Sequence, residues 1–253
     1  MARDTGAYGR FWDEWVDRWE VIRGERDLAW PGDNWGSPEG WDELFQAIFE
    51  PAGVSDWQRA VELGPGSGKY TLKVLEASRA QVRAYDVGER FLEVCSTRCN
   101  DAVESGRLVL EPLDTAQADW LLADLTQQGW RRRVDGFYSI DSMVHVDLQY
   151  LIAYLLTAAL VLRPEGSLVL TVADATTDQG FERLLGDVAH YFPGQSAAAG
   201  SKMEWMSPDL VRFILERLGF VPLVLAHRYH LLVAARLTEP SRAEHLERHL
   251  RHE

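Results

Sequence analysis

The stretch RAVELGPGSGKYTLKVL, residues 59–75, decides how the rest of the chain is read. A short apolar run ends at Glu62-Leu63, Gly64-Pro65-Gly66-Ser67-Gly68 follows, and a helical pattern starts at Lys69. Glycines at alternate positions let the backbone turn sharply and let a ligand approach it without meeting a Cβ. A helix beginning behind such a loop aims its unpaired N–H groups at the same spot. Spacing separates the ligand classes that use these loops. A phosphate-cradling loop needs G-x-x-x-x-G-K-[ST], but Leu63 stands at its first glycine and Tyr70 at its hydroxyl position. A dinucleotide fingerprint needs G-x-G-x-x-G, and Lys69 stands at the third glycine. The pattern that remains is acidic-x-G-x-G-x-G, carried by Glu62, Gly64, Gly66 and Gly68.

Outward from this unit, strand-like and helix-like segments alternate, which is the mark of a parallel sheet covered by helices. Strands are expected near 59–63, 81–86, 107–112, 134–140 and 167–173, and helices near 69–78, 89–104, 115–128 and 147–162. A last helix is expected over 207–218, capped by Ser207, with Pro208 in its first position and Gly219 at its stop. The runs Phe220–Ala226 and Tyr229–Leu237 are close enough to pair as a hairpin. Asp86 closes the second strand, Asp114 follows the third, and Leu162-Arg163-Pro164-Glu165-Gly166 precedes the fifth. With the glycine loop, and in this order, these features resemble the class I S-adenosylmethionine-dependent methyltransferases over residues 57–173 and the terminal hairpin. The resemblance implies an α/β, Rossmann-like sheet, mostly parallel and seven-stranded, ending in an antiparallel hairpin.

The cofactor implied is S-adenosyl-L-methionine, and the residues suit its groups. Glu62 can answer the ammonium directly or through water, and the backbone N–H groups of the loop suit the carboxylate. Asp86 is placed for the ribose diol, and Asp114 or its neighbouring backbone for the adenine edge. Each has a second reading: Asp86 can cap a helix, and Asp114 can cap one beginning at Thr115.

The activity implied is methyl transfer, which mainly requires alignment of donor and acceptor and, for a hydroxyl or protonated amine, removal of a proton. Bases should lie at the carboxyl ends of the strands. His145, just after the fourth strand, is the candidate base, with Asp141 orienting it or touching substrate; His145 can also simply pack at a helix start. His190 and Tyr191 are candidates for a substrate wall. His227 and His230 flank the hairpin turn and read as structural, and His245, His249 and His252 lie in a charged tail. Cys95 and Cys99 stand four apart without a partner pair, so no metal site with zinc spacing is expected, while the carboxylates of a magnesium site need not be close in sequence.

Six of the ten tryptophans (Trp12, Trp15, Trp19, Trp30, Trp35 and Trp41) precede residue 42, and the first three lie on one helical stripe. They can pack on the core, or form a lid whose rings line an apolar or cationic pocket; Trp12, Trp15 and, from the other side, Trp205 are the substrate-binding candidates. The expected organisation is a helical extension over 1–56, a cofactor-binding domain over 57–238 with a substrate-cap insertion at 174–206, and a solvated or frayed tail over 239–253.

A hydrophobic fraction of 46% in 253 residues can fill a sizeable core, whereas a net charge of −13 argues against nucleic acid and anionic membranes. No apolar run approaches the ~20 residues of a membrane span, and the first twenty residues have no signal-peptide core. The expectation is a cytoplasmic monomer or homodimer methylating a small-molecule substrate at oxygen or nitrogen. The alternatives are a non-catalytic, cofactor-binding partner subunit and a same-fold enzyme of different chemistry.

Overall fold

The computed structural model describes residues 5–188 and 202–250. Its centre is a sheet in the order β3-β2-β1-β4-β5-β8-β7. The parallel strands are β1 (Arg59–Leu63), β2 (Gln81–Asp86), β3 (Leu108–Pro112), β4 (Val134–Ser139) and β5 (Leu162–Asp174). Antiparallel β7 (Phe220–His227) and β8 (Leu231–Leu237) close one edge, and two-residue β6 (Trp205–Met206) pairs with the end of β5. The mostly parallel, seven-stranded sheet with its terminal hairpin is the architecture expected, with β6 added.

Both faces of the sheet are covered, so its strands are apolar on both sides. Val61 and Leu63 of β1 face a core shared with α7 (Trp120–Gln127), α8 (Leu148–Val161) and α10 (Pro208–Arg217). Ala60 faces a second core with Val74 of α4 (Lys69–Ala77), Cys95 of α5 (Glu89–Arg98) and Ile48 of α3 (Pro38–Ile48). The chain reverses its direction of growth between β1, which continues to β2, and β4, which lies on the other side. Crevices at such points hold the ligands of open α/β sheets.

Local chemistry sets several boundaries. Ser207 Oγ accepts from Leu210 N at 3.3 Å with Pro208 in the first turn, and Gly219 turns out of α10 at φ +90°, as expected. The helix expected over 89–104 breaks at Cys99 into α5 and α6 (Asn100–Glu104). The one expected from Thr115 begins only at Trp120, because residues 113–119 form a loop along the mouth of the sheet. The Pro164-Glu165-Gly166 segment, expected as a turn before the fifth strand, lies inside β5.

The charged tail is packed and paired. In α11 (Pro240–Leu246) Ala243 is fully buried, and Leu250 just beyond is 5% exposed. Arg131 holds Glu247 through two hydrogen bonds of 2.6 and 3.1 Å, and Arg132 holds Glu244 at 2.9 Å. Arg131 and Arg132 are the partners that a reading of the tail alone could not supply.

At the other end, α1 (Thr5–Asp17) and α2 (Trp19–Arg23) lead into a loop that crosses the carboxyl edge of the sheet. Helix α5 has Gly88 at its start and no side-chain cap of its own. Asp13 of α1 supplies one, accepting from Arg90 N at 2.9 Å, while Asp17 accepts from Arg90 Nε at 2.9 Å.

Candidate functional site

A cleft of about 1200 Å³, measured to its open mouth, lies at the switch point. Its floor is Leu63 to Ser67, one wall is Asp86, Val87 and Phe91, and the other is Ile140 to Met143 with His145 and Val146. Trp12 and Trp35 roof it, and Tyr150 and Tyr154 of α8 line its far side.

The glycine loop is shaped by what stands against it. Gly64 has φ +67°, and a Cβ there would lie 1.9 Å from Ser142 Oγ, so only glycine lets the β1 and β4 ends meet. Gly68, at φ +83°, opens α4 against the Cys95 and Cys99 thiols, 2.8 and 3.1 Å from where its Cβ would be. Of the three glycines, Gly64 and Gly66 border the cleft and Gly68 packs behind it.

Asp86 borders the cleft at 7% exposure. Its Oδ1 accepts from Gly88 N at 2.9 Å and its Oδ2 from Gly66 N at 3.3 Å. Burial raises its pKa to about 6 against the pull of these N–H groups. A carboxylate held by backbone donors keeps lone pairs for further donors on its cleft side, which suits a diol.

Glu62 is placed differently from its expected role. It is 2% exposed, lies behind the loop and does not border the cleft. Its Oε2 accepts from Thr71 Oγ1 at 2.6 Å and from Tyr138 Oη at 3.0 Å, tying α4 to β4. Burial raises its pKa to about 8, opposed by those two hydrogen bonds, so near neutral pH it is largely protonated. Asp114 is also away from the cleft. It is exposed, its Oδ1 accepts from Ala116 N at 2.7 Å, and its neighbours Leu113 and Thr115 form the rim instead.

The acceptor side is built at the end of β4. Asp141 adopts φ +58°, a conformation that costs a non-glycine residue energy and concentrates at functional sites. Its N–H is held by Thr171 Oγ1 at 2.8 Å, anchoring the turn to β5. One short turn later His145 packs against the Trp12 ring, centroids 5.4 Å apart. His145 Nδ1 lies 2.9 Å from the Lys202 carbonyl oxygen, which can only accept, so Nδ1 carries the proton. Burial lowers its pKa from the ordinary imidazole value, against the stabilising pull of that carbonyl. The ring is therefore neutral near pH 7, with the lone pair on Nε2.

The tryptophans form two layers. Trp12 borders the cleft, whereas Trp15 lies behind it, stacked on Phe91 at 6.0 Å and against Trp35 at 4.7 Å. Trp205 packs on Val144 and Ala173 beyond His145 and does not border the cleft. His190 and Tyr191 lie outside the described residues.

Residues unmarked in the sequence complete the site. Lys69 borders the cleft, its Nζ 3.4 Å from the carbonyl oxygens of Gly32 and Trp35 and 4.3 Å from the Trp41 ring centre. Burial lowers its pKa to about 8. Arg98 pairs with Asp33 at 3.0 Å and donates to Ser67 Oγ at 3.2 Å, clamping the tryptophan loop onto the glycine loop. The only sequence signal for Lys69 was its place after the last glycine; Arg98 had none.

Residues 61–170 match a family model described as a methyltransferase domain. The chain resembles the magnesium protoporphyrin IX methyltransferase of Synechocystis PCC 6803, solved with S-adenosylhomocysteine, at a TM-score of 0.65 and 18% identity, over 93% of this chain and 100% of that one. It resembles the geranyl diphosphate C-methyltransferase of Streptomyces coelicolor A3(2) at 0.63 and 11%, over 94% and 99%. The phosphoethanolamine N-methyltransferase 2 of Haemonchus contortus follows at 0.54 and 16%, over 83% of this chain and 42% of that one. No curated protein sequence matches. Over residues 61–170 the chain is thus similar to methyltransferase domains, and it shares its fold with these solved structures. S-adenosylmethionine suits the cleft, where bare glycine backbone, a buried carboxylate and aromatic walls face one space.

Proposed function

We propose that the protein transfers a methyl group to an oxygen or nitrogen of a small-molecule acceptor, with His145 removing the acceptor's proton. The observation that carries this reading is the His145 ring. It is buried, kept neutral, fixed in one tautomer by Lys202 and set beside Trp12 at the edge of the cleft. S-adenosylmethionine, when bound, supplies a methyl carbon activated by its sulfonium. The chain's own residues then bind, orient and accept a proton. Gly64 and Gly66 leave room at the loop, Asp86 takes the ribose hydroxyls, and Leu113 and Thr115 border the adenine. Glu62 acts from behind, holding α4 and with it the loop.

Residues 1–56 act as a lid in this reading, closed over the donor by Asp13, Lys69 and Arg98. Small acceptors suit a roofed cleft, and a net charge of −13 disfavours nucleic acid. No helix among the described residues is long and apolar enough to cross a membrane. The reading is of a cytoplasmic enzyme, monomeric or homodimeric.

The test is formation of S-adenosylhomocysteine from S-adenosylmethionine across a panel of phenols, carboxylic acids and amines. With the acceptor found, His145→Gln is expected to lower turnover by roughly 10²–10⁴-fold while donor affinity stays unchanged. Undiminished turnover would refute the assignment of the base.

A further inference from the structure

Two opposite charges stand at the two ends of the glycine loop, each without a counter-ion. Lys69 follows Gly68, the last glycine, and opens α4. Among the described residues it is the only lysine or arginine that borders the cleft. Its Nζ has the Gly32 and Trp35 carbonyls at 3.4 Å and the Trp41 ring, and no described carboxylate lies within ion-pair distance. Gly32 and Trp35 themselves border the cleft, so the ammonium lies at its roof rather than behind it. The cations beside it are satisfied: Arg98 holds Asp33 at 3.0 Å, and Lys73 holds Asp42. Burial lowers the Lys69 pKa to about 8; Asp141 and Asp33 oppose this, and Arg98 and Lys73 add to it. A half-buried ammonium with only carbonyls and a ring for company is costly until an anion meets it.

At the first glycine the charge is negative. Ser142 packs so closely on Gly64 that a Cβ there would lie 1.9 Å from its Oγ, and Asp141 is the residue before it. Asp141 borders the cleft, and its strained backbone is held by Thr171, whose Oγ1 accepts from its N–H at 2.8 Å. Among the described residues its carboxylate meets only that hydroxyl, at 3.4 Å, and has no ion-pair partner. The other carboxylates on the cleft are placed elsewhere. Asp86 is engaged by Gly66 and Gly88, and Asp147 precedes α8, whose Tyr150 and Tyr154 line the far side. Glu62, expected to answer the donor's ammonium, lies behind the loop in protonated form and leaves that role open. An amino-acid zwitterion lying along the loop therefore meets a cation at one end and an anion at the other.

We propose that Lys69 and Asp141 form a two-ended clamp for the amino-acid end of the donor, Lys69 holding its carboxylate and Asp141 its ammonium. This rests on the methyltransferase reading above and deepens it. Charge-assisted hydrogen bonds to both groups fix the methionine end on the loop. Because Lys69 also reaches the Gly32 and Trp35 carbonyls, the bound carboxylate helps to hold the roof in place. The clamp selects a donor that carries both charges and rejects its decarboxylated form. A donor lacking either group leaves one charge of the clamp without its partner, which is the physical basis of the discrimination.

The test is calorimetric titration with S-adenosylhomocysteine and two analogues, one lacking its α-carboxylate and one lacking its α-amino group. Lys69→Met is expected to weaken S-adenosylhomocysteine about tenfold or more, the size of one charge-assisted contact, and the carboxylate-free analogue by less than about twofold. Asp141→Asn should weaken S-adenosylhomocysteine to the same degree and spare the amine-free analogue. Asparagine keeps the size of the side chain and tolerates the left-handed backbone. Lys69→Arg keeps the charge and should stay within about threefold of wild type. Near about pH 8 the wild-type protein should take up protons on binding S-adenosylhomocysteine, because the carboxylate raises the Lys69 pKa. The heat of binding then varies with the ionisation enthalpy of the buffer, and Lys69→Arg should remove that dependence. Equal weakening of S-adenosylhomocysteine and the matching analogue marks a merely structural residue and overturns its assignment. So does an affinity that the substitution leaves unchanged or, for Lys69, proton uptake that survives Lys69→Arg. Failure of the wild-type protein to bind S-adenosylhomocysteine, measured first in the same cell, overturns the methyltransferase reading itself, and the two failures are told apart at that step.

Discussion

Glu62 is a carboxyl that the fold holds in its protonated form, and this makes stability fall as pH rises. Its folded pKa is about 8 against 4.5 for an ordinary glutamate, with burial as the cause. A pKa raised on folding stabilises the folded state fully below the unfolded value. That stabilisation is lost as pH climbs toward the folded value, because over this window the unfolded chain releases a proton that the folded chain keeps. At ~1.4 kcal/mol per unit, the gap from 4.5 to about 8 corresponds to roughly 5 kcal/mol, of which about 3 has already been lost by neutral pH. Glutamine has the shape of the protonated acid, and its Oε1 can accept from both Thr71 and Tyr138, the donors that now converge on Glu62 Oε2. Glu62→Gln should therefore change stability little near about pH 5, raise it by about 3 kcal/mol near neutrality and by more near about pH 8. Urea unfolding of both proteins, followed by tryptophan fluorescence across this range, reads the difference directly. Other titrating groups cancel in that difference. A stability difference that does not vary with pH, or a glutamine protein less stable than wild type at the alkaline end, would show that Glu62 is ionised in the folded state and would return it to the role of an ammonium partner.

The remaining predictions concern the cleft and its roof. Asp86→Ala should weaken S-adenosylmethionine by ~10-fold or more in calorimetry, since a charge-assisted contact is lost; a change under about twofold removes Asp86 from the ribose site. Gly64→Ala should abolish donor binding, because its Cβ would lie 1.9 Å from Ser142 Oγ, and Gly64→Ala with Ser142→Gly should recover most of it. What remains in the pair is the left-handed backbone cost of ~1 kcal/mol, and failure of the second change to help would mean that Ser142 is not the obstacle. Arg98→Met leaves Asp33, now 11% exposed, without its partner, and should increase hydrogen exchange over residues 30–36 and speed S-adenosylhomocysteine release; unchanged protection there refutes the clamp. Because burial lowers the His145 pKa, turnover on the acceptor found should hold from neutrality down past the ordinary imidazole range before falling on the acid side. A loss of rate already centred above that range would mean that another group limits it.

Patterns local in sequence were the ones legible before the structure. The glycine loop, the carboxylate ending β2, the order of strands and helices and the capped start of α10 each depend on residues within a few positions of one another. For them the physics of turns, caps and periodicity is enough. Trp12 and His145, singled out separately, do meet, centroids 5.4 Å apart at the cleft. The misplacements share one cause. Glu62 and Asp114 were given roles from their distance along the chain to the loop, whereas a strand's alternation decides which face a side chain takes, and Glu62 falls on the face covered by α4. The charged tail read as solvated because its arginine partners lie more than a hundred positions away.

The sequence by itself thus determined the sheet, its glycine-lined crevice and the class of donor, because contacts within a strand–loop–helix unit are short-range. The acceptor end was decided only by tertiary structure. Trp12, His145 and Lys202 come from the first helix, a short turn after β4 and the segment before β6, and they meet only in the folded chain. What each of these side chains meets is a property of packing, which no spacing of residues along a chain records.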